Sequence, residues 1–220
     1  MSPQLILEQA VAQKINLISV TDHNTIYHSV LACKQSENMP LKVIPGVELT
    51  TREEVHLLAY FCNIDSLKKM DEFIKTKLPK ERNKSEVFGY QLYYDIHGEI
   101  VGIDDVLRQT ALIVGIDELV DFIHHIEGIA IPAHIDKNRF SLLSQLGFID
   151  KSAKFDAVEV SKFMWRKKEF LLGNIYDGFP VIAGSDSHTL EDIGLFFLEN
   201  LDNTIKDFYS LKSFLGKNKK

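Results

Sequence analysis

The sequence predicts an α/β fold, a single domain over residues 1–220 built around a mostly parallel sheet. Three observations carry this expectation. Short apolar runs alternate with helix-periodic stretches along most of the chain, the pattern of repeated strand–helix units. Several of these runs end on a carboxylate or an imidazole, which would gather such residues along one rim of the sheet, where α/β scaffolds place their active sites. The 220 residues, 45% hydrophobic and 25% charged, suit one large domain with a substantial core.

The elements follow in order. Ser2-Pro3 reads as a helix start, with Ser as N-cap and Pro at the first helical position, and Leu5, Ile6 and Ala10 recur on one face. The run at 17–21 is the first strand. A helix over about 26–37 leads to a strand at 43–48, and a second strand at 55–61 follows after a short polar turn. Residues 65–77, rich in Lys, Asp and Glu, read as an exposed helix. The segment 79–115 then breaks the alternation. It is polar at first, then carries two short strand-like runs around Ile96-His97-Gly98-Glu99, and is expected to be an inserted hairpin or flap. Alternation resumes with a helix at 116–127, a strand at 129–132, a helix at 141–147, a strand at 157–160, a helix at 165–177 and a strand at 181–183. A last strand at 194–199 and a final helix from Thr204 close the chain.

Bulk properties narrow the function. A net charge of −6 provides no broad electrostatic footprint for duplex nucleic acid, so none is expected as a partner, whereas a short nucleotide or small phosphorylated substrate is compatible. Cys33 and Cys62 lie far apart and in no metal-ligand pattern, which favours buried thiols in a reduced, cytoplasmic setting. No apolar run approaches the ~20 residues of a membrane span, so no membrane partner is expected.

Ligand-type residues sit at strand ends: Asp22-His23, Glu48, His56, His134, and Asp186 with His188. A single histidine in such a place is more often a hydrogen-bonded core residue than a ligand. Their recurrence at separate strand ends is harder to explain by packing, because buried unpaired charges are costly. The sharpest element is Gly184-Ser185-Asp186-Ser187-His188. Its glycine permits a tight exit from the strand, and alternate Asp and His would share a side if the chain stays extended. Carboxylate and imidazole without thiolate suit divalent Zn, Mn or Fe. His28, His97, His124 and His125 read as helix or turn residues outside this group, and Phe196 and Phe197 as core residues.

These motifs together resemble the PHP family, named for polymerase and histidinol phosphatase domains. The resemblance runs through Thr21-Asp22-His23-Asn24-Thr25, Pro45-Gly46-Val47-Glu48-Leu49, Val55-His56-Leu57-Leu58, Pro132-Ala133-His134 and Gly184-Ser185-Asp186-Ser187-His188, in family order, over about residues 2–195. It implies a distorted TIM-like (β/α)7 barrel with up to three divalent metals, acting as a hydrolase of phosphoric esters. By position, Glu48 would bridge two metals, His56 and His134 would complete one of them, Asp186 would bind the other, and His23 and His188 would serve the third.

The chain departs from the family at its start. Members open with a strand ending in His-X-His, just before the helix that begins here at Ser2-Pro3, so the first barrel strand and three ligands are missing. An internal methionine recorded as the start, a truncated remnant, or a strand supplied by another chain would each produce this pattern. The expected activity is hydrolysis of a small phosphomonoester or of a nucleotide or oligonucleotide phosphoester by metal-activated water. The alternatives are a truncated, catalytically impaired metal-binding or regulatory module, and an amidohydrolase-type enzyme attacking a carbonyl carbon. Arg139 is the first candidate for a phosphate contact and Arg52 the second, since a guanidinium fork matches phosphate. Asp22 and Glu159 are expected to hold the ligands in place.

Overall fold

The structure is a computed structural model that describes residues 1–167, 175–196 and 204–218. Helix α1 (Pro3–Ala12) starts where expected: the Ser2 hydroxyl accepts from the Leu5 N–H, and Pro3 occupies the first turn. Strand β1 (Leu17–Ile18), helix α2 (Tyr27–Gln35) and strand β2 (Lys42–Val43) follow, with β1 and β2 parallel. Next come β3 (Gly46–Thr50), β4 (His56–Tyr60) and α3 (Ile64–Lys77). The segment expected as an insertion carries a short helix α4 (Ser85–Phe88) and an antiparallel pair, β5 (Leu92–Tyr94) and β6 (Ile100–Ile103), joined by a turn at Asp95–Gly98. Then follow α5 (Ile116–His125), β7 (Ile129–Pro132), α6 (Leu142–Leu146), β8 (Val158–Val160), α7 (Lys162–Arg166), β9 (Ile175–Tyr176), β10 (Phe179–Ala183) and α8 (Phe208–Asn218).

The fold is mixed α/β, but the described residues do not close into a barrel and the sheets are not mostly parallel. Among the described residues the sheets are four and small, ordered β1-β2, β8-β10-β9, β3-β4-β7 and β5-β6. The physical reason is the length of the connections. Only five residues separate β3 from β4, too few for a crossover, so the two form a hairpin closed by Thr51 and Val55 with Glu54 at φ 58°. Likewise Asp177 and Gly178, both at positive φ, turn β9 back on β10 as a two-residue hairpin. The expected helix at 165–177 corresponds in part to α7, which begins at Lys162; residues 168–174 lie outside the described residues, and at Ile175 the chain is extended. Of the expected strand at 194–199, only a bridge between Ile193 and Phe196 is seen, and 197–199 lie outside the described residues.

β4 and β7 are buried on both faces, which explains their unbroken apolar runs. Leu57, Ala59 and Ala130 point into the main core with α3 and α5, while Leu58, Ile129 and Ile131 pack with Phe208 and Leu215 of α8. A third cluster joins Ile6, Leu7 and Ala10 of α1 to Ala32 of α2. Between residues 17–23 and 182–188 lies a cavity of about 700 Å³, walled by Ile18, Val20, Ile44, Leu58 and Ile182, whose mouth carries His23, Glu48 and Asp186. No helix of the described residues is long and apolar enough to cross a membrane.

Candidate metal centre

The middle of β3, the start of β4 and the segments that follow β1, β7 and β10 converge on one pocket. It is lined by His23, Glu48, His56, His134, Asp186 and His188, together with Lys137, Asn138, Arg139 and Phe140 of the loop after β7. All six residues that the sequence singled out as ligands therefore share one opening, brought there from separate strands.

Glu48 is the hub. It lies on β3, is buried, and is registered against the 22–24 segment through the Asn24 N–H to Glu48 C=O bond (2.8 Å) and the Glu48 N–H to Asp22 C=O bond (3.3 Å). Its carboxylate stands 3.4 Å from His23 Nδ1, 3.3 Å from His56 Nδ1 and 3.6 Å from His134 Nε2. Burial disfavours the Glu48 carboxylate, but the imidazoles of His134, His56 and His23 outweigh this and hold its pKa below the usual range. Burial lowers the pKa of His23, only partly opposed by Glu48, which keeps that imidazole neutral and able to donate a lone pair.

The donor set fits a divalent cation. Ligand atoms of His23, Glu48 and His56 all lie within 4.8 Å of one another. His56 Nδ1 and His134 Nε2 are 3.3 Å apart, and the buried Nδ1 of His23, 3.4 Å from the Glu48 carboxylate, has no hydrogen-bond partner. Buried polar atoms are normally satisfied, so unpaired ring nitrogens beside a carboxylate are what a cation site leaves behind.

Glu159, on β8, accepts the His134 N–H at Oε2 (3.1 Å). Burial, with the negative charges of Glu48 and Asp186 beyond it, pushes its pKa up to about 8. Gly184 is required for space rather than for a left-handed turn. A Cβ there would lie 2.0 Å from Glu159 Oε1. The left-handed residues are instead His134 (φ 32°) and Asp186 (φ 47°), so the 184–188 segment does not stay extended, yet His188 Nε2 still comes within 3.2 Å of Asp186 Oδ1. Side chains held in such sparsely populated backbone regions cluster at functional sites. Asp22 does not reach Glu48 or His56 with its side chain. Its carboxylate pairs with His28 Nδ1 at 2.5 Å, giving His28 a role that its helix position did not suggest. Arg139 lines the pocket, whereas Arg52 is largely exposed and paired with Glu53.

Several site residues were missed in the sequence. Phe140 stacks flat on His56, with centroids 4.9 Å apart at 6°, and its C=O accepts the His56 N–H. Lys137 forms an ion pair with Asp186. Asn24, fully buried at φ 48°, donates to the carbonyls of Arg108 and Thr110 and accepts the Thr50 N–H, tying the 81–110 segment to the site. An Asn beside a candidate ligand was the one available signal for the last of these.

No family model matches the sequence, and no curated protein matches it. Solved structures do. The lesion-specific endonuclease Endonuclease Q from Pyrococcus furiosus superimposes with a TM-score of 0.54 at 18% identity, over 84% of this chain and 43% of the other. A structure of Endonuclease Q with a 27-mer duplex substrate, an abasic lesion at its active site, gives 0.55 at 17% identity over 85% and 44%. A protein from Bifidobacterium adolescentis described as a candidate metal-dependent phosphoesterase gives 0.50 at 16% identity over 98% and 91%. At these identities the likeness is one of fold, and the chain spans less than half of Endonuclease Q. It corrects one expectation. A protein of this fold holds duplex DNA at its active site, so a modest net negative charge is no argument against duplex nucleic acid. A few local groups around a site can contact a backbone that the whole surface does not attract.

Proposed function

We propose that this chain is a metal-dependent phosphoesterase of the PHP type, with His23, Glu48, His56 and His134 holding a divalent cation. The observation that carries the reading is the buried Glu48 carboxylate, with three imidazoles from three other strand ends at 3.3–3.6 Å from it. Resemblance in sequence motifs and likeness in fold to phosphoesterases support it independently. The distorted barrel of that family is proposed with it, as the form that the separate sheets approximate. The 79–115 segment is read as an insertion on a single domain.

A divalent ion bound here would lower the pKa of a water and polarise a phosphoryl oxygen. The chain supplies the rest. Glu48 stays ionised and balances the cation's charge. The ring of His56 is fixed between Phe140 and Glu48, so that it loses little orientational freedom on binding. Arg139, at the exposed lip, offers its fork to the non-reacting phosphate oxygens. His188, whose pKa is raised by its hydrogen bond to Asp186, stands at the pocket mouth, where a leaving alkoxide would need a proton.

A second reading is a module that holds one ion without hydrolysis, favoured by the engagement of Asp186 with Lys137. One experiment separates the two. Chelated protein is reloaded with Mn²⁺ or Zn²⁺ and assayed on an aryl phosphate, nucleoside bisphosphates, short single strands and a duplex carrying an abasic site. Metal-dependent hydrolysis of at least one, lost in His134→Ala together with bound metal, is the expected result. Bound metal with no hydrolysis of any would leave the second reading. Unchanged metal binding in His134→Ala would remove His134 from the centre.

A further inference from the structure

Asp186 is engaged on both oxygens. His188 Nε2 lies 3.2 Å from Oδ1, and the Lys137 ammonium pairs with Oδ2. This is no loose surface contact. Lys137 sits in a loop whose turn is fixed by its own N–H donating to the His134 C=O (2.9 Å) and by the Ser141 hydroxyl donating to its C=O (2.5 Å). The next turn is anchored as well, since Asp136 accepts from both the N–H and the hydroxyl of Ser161 at 2.6 Å. The loop thus presents Lys137 into the pocket that holds Glu48 and its three imidazoles. Among the described residues, the one group of three or more ligand side chains close enough for a shared ion is His23, Glu48 and His56, and Asp186 is not part of it.

An ammonium is a compact single charge with three donors. Beside Asp186 it fills the electrostatic place of a cation, and a divalent ion could take that carboxylate only by displacing Lys137 or by enduring its repulsion at close range. We propose that Lys137 is the second cation of this centre: a single divalent ion sits on the Glu48 cluster, and the Lys137 ammonium, held by Asp186, turns its remaining N–H donors to a phosphate oxygen of the substrate. This rests on the metal-dependent reading above.

The test uses the full chain. Chelated protein is titrated with Mn²⁺ by calorimetry, and bound metal is counted after dialysis, for the unaltered protein, Lys137→Met, Lys137→Arg and Lys137→Met combined with Asp186→Asn. A single ion is expected in the unaltered protein and in Lys137→Arg. A second, weaker equivalent is expected in Lys137→Met, lost again in the double variant. Inorganic phosphate binding to the one-ion form should weaken about ten- to a hundredfold in Lys137→Met, as expected for loss of one charge-assisted hydrogen bond, and should be largely kept in Lys137→Arg. Two or more ions in the unaltered protein, with Lys137→Met unchanged in both stoichiometry and phosphate affinity, would overturn the assignment while leaving the phosphoesterase reading intact. Two or more ions with phosphate affinity still dependent on Lys137 would also overturn it, since Lys137 would then be a phosphate contact beside a full metal set. No ion bound and no ester hydrolysed would instead bring down the parent reading. Unfolding curves followed by Trp165 fluorescence show whether each variant is folded.

Discussion

Gly184→Ala tests whether the site is organised around the close approach of Glu159 to the end of β10. The added Cβ would stand 2.0 Å from Glu159 Oε1 and 3.2 Å from the carboxyl carbon. Ordinary carbon–oxygen contacts begin near 3.3 Å, so one side must move by about 1 Å. Neither side moves freely. Glu159 is buried in the middle of β8, paired to Ile182 across the ladder, and its other oxygen holds the His134 N–H. Overpacking of this kind costs about 1–3 kcal/mol, and loss of the buried hydrogen bond adds a similar amount, for a total of about 2–6 kcal/mol. Urea unfolding followed by the fluorescence of Trp165, the sole tryptophan, reads this as a lower midpoint at unchanged slope. The specific claim is that the cost comes from Glu159. In a Glu159→Ala background the same Gly184→Ala change should therefore cost less by at least ~1 kcal/mol. Equal costs in the two backgrounds, or a cost below ~0.5 kcal/mol in the unaltered protein, would refute the reasoning.

Three further outcomes follow from other contacts. Asn24→Ala removes three hydrogen bonds made by a fully buried side chain and places alanine at φ 48°. It should destabilise by about 3–5 kcal/mol, with Asn24→Gly about 1 kcal/mol milder because glycine tolerates that φ. The same denaturation assay reads both, and equal costs would show that backbone strain plays no part. Phe140→Ala removes the ring stacked on His56 and, at about 0.5–1.5 kcal/mol, should weaken Mn²⁺ binding about two- to tenfold without altering stoichiometry, while an unchanged affinity would mean the stack is incidental. Glu159 sets a pH dependence. Its folded pKa, about 8, is raised from the ordinary 4.5, so the folded state binds the extra proton and its contribution to stability is full below pH 4.5 and is lost as pH rises to about 8. In metal-free protein Glu159→Gln should flatten the stability profile across that window, whereas Glu48, whose pKa is depressed, contributes the opposite slope only on the acid side of the usual carboxylate range. A profile over that window identical in the variant would refute the protonated Glu159.

The parts of the fold legible in the sequence were those governed by local rules. The Ser2-Pro3 helix start, the hairpin around Gly98 and the apolar runs of β3, β4 and β7 all follow from capping, turn chemistry and burial. Strand direction was not legible, because an apolar run such as 55–61 reads the same in a parallel or an antiparallel sheet. Only the five-residue link to β3 decides it, and that link carried weight once both ends were known to be strands. The site divides along the same line. His56 and His134 stand at or just past strand ends, whereas β3 runs on to Thr50 and leaves Glu48 in mid-strand. Gly184 was noticed for a different reason from the one that holds, since its demand for space comes from Glu159, 25 residues away.

The same distinction bears on how the carboxylate of Asp186 is neutralised. A motif lists the residues that a site needs when every charge is balanced by metal. It does not register a neighbour that balances charge in another way. Lys137 lies three residues after His134, within the stretch the motif passes over, and its partner Asp186 is 49 residues further on. Nothing in the spacing of either residue predicts the pair, since the contact depends on the left-handed turns at His134 and Asp186 that bring the two loops together. The half-buried Asp186 carboxylate is stabilised by a cation beside it, but that cation need not be a metal. The number of metal ions the centre needs is therefore set by how Asp186 is neutralised, which the spacing of the ligand residues does not show.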